Sequence, residues 1–128
     1  MRFIVVKNTL YPFPLTGPYK PKINILGKPK TVEAQDRSPI TLTIGDNVAA
    51  LTDTNITIQC PTSGVPTPTV TWTKDGQHIL AGGKYTIRGD NSLMISKADV
   101  EEGARYTCTA DSVAGRDSVS TEVQIVGK

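Results

Sequence analysis

The chain has 128 residues, 38% of them hydrophobic, 5% aromatic and 20% charged, with a formal net charge of +2. That length suits one domain with a single modest core and a tail, and leaves no room for a second large fold. Thr, Val, Ser and Ile recur while no long stretch repeats apolar residues at intervals of three and four, which excludes a helical bundle and points to an all-β protein.

The first apolar run, Phe3-Ile4-Val5-Val6, is cut short by Lys7. It is far too brief for a signal-peptide core or a membrane span, so either an export signal has been removed or the chain is a piece of a longer protein. Residues 1–38 carry seven basic groups against Glu33 and Asp36, whereas residues 39–128 carry seven against ten acids. The pI near 8.6 therefore describes the first region and gives no argument for nucleic-acid binding. From Thr9 to Pro39 prolines recur too often for a central strand, and residues 1–38 read as an extended, basic, proline-rich linker. Its Tyr11, Phe13, Ile23, Ile25 and Leu26 are either docking residues for a neighbouring domain or ordinary apolar groups on a tail. Lys20, Lys22, Lys28 and Lys30 alternate with other residues and would present charge along a line, as a glycosaminoglycan partner requires. The plainer reading of them is a solvated linker.

After Pro39 short alternating runs are separated by turn residues about every ten positions, the pattern of a sandwich or barrel. The runs fall at 40–44, 47–51, 54–60, 69–74, 84–88, 92–96, 104–112 and 117–126, with a short one at 78–80. Asp75-Gly76 is the strongest hairpin signal, because both positions tolerate positive φ. Period two places Ile56, Ile58 and Cys60 on one inward face. The same alternation turns Val70 and Trp72, Leu93 and Ile95, Tyr106, Cys108 and Ala110, and Val119, Val123 and Ile125 inward. Cys60 and Cys108 thus face inward from different strands, and a bond between them would cross the interior. Two buried reduced thiols are the alternative. A zinc site needs four ligands, which the two cysteines and the one histidine, His78, do not supply.

Cys60-x11-Trp72 and Tyr106-x-Cys108, with GVPTPTVTW (Gly64–Trp72), the L-x-I from Leu93 and ARYTCTADSVAG, resemble the immunoglobulin fold and its intermediate-set (I-set) subclass. The resemblance covers residues 39–128 and looks most like modules of extracellular-matrix proteins of the hemicentin and ADAMTS-like type. It implies a two-sheet antiparallel Greek-key sandwich with an inter-sheet disulfide, a tryptophan packed on it and a tyrosine corner. Two positions depart from the pattern: Glu102 stands where aspartate is usual and Ser112 where asparagine is common. In this frame Pro66 and Pro68 hold the chain extended as it crosses between sheets.

Three short patterns compete with plainer readings. Asn55-Ile56-Thr57 is an N-glycosylation acceptor whose asparagine faces outward. Arg88-Gly89-Asp90, on a turn between strands, resembles the integrin-recognition tripeptide, although turns favour glycine and aspartate for conformational reasons. Glu101-Glu102 reads as a solvated surface turn. No catalytic constellation, cofactor motif or metal set stands out. The expectation is a non-catalytic binding or spacing module of a larger secreted or cell-surface protein, with a protein partner in the extracellular space or matrix and no insertion into a membrane. Its rivals are an intracellular structural module of the muscle giant-protein type and an enzyme regulator or inhibitor domain.

Overall fold

Runs of β-branched residues alternating with polar ones give the molecule its strands, as described for residues 2–6, 8–13, 19–25 and 27–127 in a computed structural model. In chain order the strands are β1 (Arg2–Val6), β2 (Thr9–Phe13), β3 (Tyr19–Ile23), β4 (Thr31–Glu33), β5 (Ile40–Thr43), β6 (Asn47–Leu51) and β7 (Thr54–Gln59). They continue with β8 (Thr62–Val65), β9 (Thr69–Lys74), β10 (Gln77–His78), β11 (Tyr85–Ile87), β12 (Leu93–Ala98), β13 (Ala104–Ser112) and β14 (Gly115–Val126). A 3-10 turn, Val100–Glu102, leads into β13.

One sheet has the order β10-β9-β13-β14-β6-β4 and the other β11-β12-β7-β5. Their centres are antiparallel, and three marginal pairings, β14 with β6, β6 with β4 and β7 with β5, are parallel. Side chains from the two inner faces meet in one core containing Ile56, Ile58, Trp72, Leu93, Ile95, Tyr106, Ala110, Val123 and Ile125. Val70 and Val119 pack against it while partly exposed. At the β9–β10 turn Asp75 and Gly76 have φ of 49° and 88°, the left-handed pair that a two-residue hairpin uses.

The segment expected to be an extended linker is where structure and sequence reading part. Strand β3 pairs antiparallel with β8, β4 joins the edge of the six-stranded sheet, and Ile23 is only 4% exposed within the core. The β3–β8 register shifts between Tyr19 and Lys22, and Pro21 sits inside that irregularity, where a missing N–H breaks no ladder bond. Two backbone anchors complete the docking: the Ile23 N–H donates to Asp117 Oδ2 at 2.8 Å and the Asn24 N–H to the Pro61 carbonyl at 2.8 Å. Residues 19–25 and 27–34 therefore form a strap laid on the sandwich. Ile23 docks on its own chain, Ile25 is 37% exposed with its Cδ1 beside Gly45, and Leu26 and the side chains of Tyr11 and Phe13 lie outside the described residues. β8 occupies part of the stretch read as a break between Pro61 and Pro68. The Val65-Pro66 peptide is cis, and Pro68 is buried.

Candidate functional site

Cys60 follows β7 in one sheet and Cys108 lies on β13 in the other, and their sulfurs are bonded at 2.05 Å. The bond joins the sheets through the core, as the period-two reading requires. Trp72 lies opposite Cys108 in the β9–β13 register and is almost fully buried. Its indole N–H still needs a partner, and it donates to the Asn91 carbonyl at 2.9 Å.

Tyr106 occupies the tyrosine corner, its hydroxyl donating to the Glu102 carbonyl at 2.6 Å. The hydroxyl also lies 3.0 Å from that of Tyr85. Burial raises the Tyr106 pKa well above the ordinary tyrosine value, because the phenolate would have to form away from water. Glu102 corrects the expectation of a merely solvated acidic turn. Its side chain is buried, accepting the Asp99 N–H at 2.7 Å and lying 3.2 Å from the Lys84 ammonium. With Asp99 it forms a reciprocal capping box on the 3-10 turn, a job for which its extra methylene gives reach. The Glu102 hydrogen bond in turn raises the Lys84 pKa. Glu101 stays exposed. Ser112 accepts the Ala114 N–H at 3.0 Å through Oγ, so the second departure also closes a local turn.

Arg88-Gly89-Asp90 is exposed on the turn from β11 to β12. Asp90 Oδ1 accepts the Ser92 N–H at 3.0 Å, and that bond is the first cause of its lowered pKa. The next residue, Asn91, has φ of 69° and offers Trp72 its carbonyl. The turn is thus fastened to the core from beneath. A shallow groove beside it is lined by Gln59, Pro61, Thr62, Asp90, Asn91 and Ser92. Asn55 sits exposed at the opposite end of β7, about 16 Å from Cys60 at strand rise, with Oδ1 accepting the Lys97 N–H at 2.8 Å.

Lys20, Lys22, Lys28 and Lys30 are all exposed along the strap. His78 is exposed on β10, and among the described residues no cluster of three or more His, Cys, Asp or Glu is placed to hold a metal. No described helix is long and apolar enough to cross a membrane. The structure therefore gathers Cys60, Cys108, Ile58, Trp72, Leu93, Ile95 and Tyr106 into one core, ties the Arg-Gly-Asp turn to it, and keeps Asn55 apart.

Residues 38–125 match the immunoglobulin I-set domain model, and the chain belongs to that family. Human hemicentin-1 is 40% identical over 72 residues, 56% of this chain and 1% of that protein. The titin homolog of Caenorhabditis elegans is 41% identical over 87 residues, 65% of this chain and, to the nearest per cent, 0% of that protein. Among solved structures, the neural ectodermal development factor IMP-L2 superposes with a TM-score of 0.66 at 24% identity, covering 97% of this chain and 50% of the other. The chain thus spans a very small part of the curated relatives it matches, and those relatives include both extracellular adhesion or matrix proteins and a titin-like protein.

Proposed function

We propose that this domain is a non-catalytic binding or spacing module of a larger secreted or cell-surface protein, working in adhesion or matrix organisation. The observation that carries the reading is the Cys60–Cys108 bond, which takes up both cysteines of the chain. Such bonds persist in oxidising compartments and are rare in the reducing cytosol. Similarity to hemicentin-1 supports the same placement. The rival, an intracellular load-bearing module, has the titin homolog in its favour and would hold both thiols reduced. Alkylating the native protein at the moment of cell lysis, then counting labelled cysteines by mass, separates the two. Zero labels are expected, and two would overturn the extracellular reading.

On this reading Asn55 carries an N-linked glycan. Its outward position at a strand end and an amide nitrogen left free by the Lys97 contact support that assignment. Protein recovered from a secretory host should lose a glycan mass on enzymatic deglycosylation, and an unmodified Asn55 peptide would remove the idea. The Arg-Gly-Asp turn is read as structural, because Asp90 already serves Ser92 and Asn91 serves Trp72. Cells should adhere equally to the native domain and to D90E, and selective loss of integrin-dependent adhesion by D90E would restore a recognition role.

A further inference from the structure

We infer that the docked strap is a binding site for a sulfated polysaccharide, built on Lys20 and Lys22 of β3 and continued by Lys28 and Lys30. On a strand, residues two apart share a face, and here the sorting is clean: Pro21 and Ile23 are buried while Lys20 and Lys22 are exposed. The two ammonium groups therefore leave the same side of β3 with Cα atoms roughly 6–7 Å apart. A free tail would lose conformational entropy on lining up such charges. This strap has already done so, through the β8 pairing and the burial of Ile23.

The neighbouring acids strengthen the placement. Asp117 accepts the Ile23 N–H at 2.8 Å, and Asp46 accepts the Lys30 N–H at 3.1 Å. Both carboxylates thus hold the strap's backbone, and among the described residues no ion pair involves any of the four lysines. Arg116, close by on β14, is paired with Asp111 at 3.2 Å and adds little net field. Packing fixes the first cation further. A Cβ placed on Gly115 would lie 3.4 Å from Lys20 Cγ, so the aliphatic stem rests on the β13–β14 turn while the ammonium stays in water.

Four compact point charges, two on a strand fixed by its pairing and one on backbone anchored to Asp46, suit a linear polyanion better than a planar carboxylate or phosphate pocket, which arginine forks serve. The choice of sulfated polysaccharide over other polyanions rests on the extracellular reading above. The site itself rests only on the strap. The test uses the whole 128-residue chain on immobilised heparin, with desulfated heparin, single-stranded RNA and phosphatidylserine vesicles as parallel probes. Retention on heparin beyond physiological salt is expected, with log affinity falling against log salt at a slope of about −3, as release of counterions by four cations implies. K20A/K22A should weaken binding about tenfold while the domain still unfolds cooperatively, and K20R/K22R, which keeps both stem and charge, should restore it. Elution at or below physiological salt, or undiminished retention of K20A/K22A/K28A/K30A, would overturn the site. Equal binding to RNA or to the vesicles would overturn the assigned ligand. Two free thiols in the native chain would sink the extracellular reading and with it this ligand, whereas failed retention with the disulfide intact sinks the site alone.

Discussion

Trp72 performs two tasks that substitutions can separate. Its ring fills the space beside the disulfide, and its N–H fixes the turn that carries Arg88-Gly89-Asp90. Trp72→Ala should lose about 3–5 kcal/mol to the cavity, a large fraction of a small domain's net stability, as measured by denaturant unfolding. Trp72→Phe keeps much of the apolar volume and leaves the Asn91 carbonyl without its donor. Its additional signature is faster amide exchange at Ser92, and unchanged exchange there would refute the fastening. Tyr106 makes a prediction in pH. Its folded pKa is raised above the unfolded value near 10, so above pH 10 the unfolded chain gives up a proton that the folded one retains. Stability present below pH 10 therefore declines as pH rises further. Y106F should be less stable at neutral pH, having lost the bond to the Glu102 carbonyl, yet show a shallower alkaline decline.

At the scale of elements, sequence pattern revealed whatever repeats. Runs 47–51, 69–74 and 104–112 coincide with β6, β9 and β13, because each alternates without interruption and ends at turn residues. The core residues and the cysteine pairing were legible for the same reason. The strap was not, since Tyr-Lys-Pro-Lys-Ile holds its period for too few residues and contains a proline. What permits it to dock lies far along the chain, in Gly64, Asp117 and Asp46, which no local window brings together. Glu102 was hidden likewise, since burial of an acid depends on the Asp99 N–H and Lys84 that meet it only after folding. Gly64 offers the sharpest test of the strap. Its φ is 150°, and an added Cβ would lie 3.0 Å from Pro21 Cα, a backbone atom held in the strap. Gly64→Ala should therefore lift β3, at a cost of about 1–3 kcal/mol including backbone strain. Trypsin, which spares the Lys20-Pro21 bond, should then cut after Lys22 much faster, and unchanged cleavage there would show that the strap does not depend on this close approach.

For the molecule as a whole, one covalent bond dominates the energetics. The Cys60–Cys108 link spans a sequence separation of 48 residues. By loop-closure entropy this lowers the freedom of the unfolded chain by about 4 kcal/mol, a large share of the net stability of such a domain. Most of that effect acts on the unfolded state, so C60A/C108A should keep the same two sheets and melt on the order of 20 °C lower, as followed by calorimetry. The replaced sulfurs also leave space beside Trp72, which adds a packing loss to the entropic one. C60V/C108V refills part of that space, so the difference in melting temperature between the two double variants measures packing, and what remains measures the cross-link. Loop closure restricts the unfolded chain whatever the compartment, so the telling quantity is the melting temperature of the reduced domain itself, not the drop on reduction. A cytosolic module is selected to stand without the bond, and a reduced domain that melts well above physiological temperature would therefore count against life outside the cell.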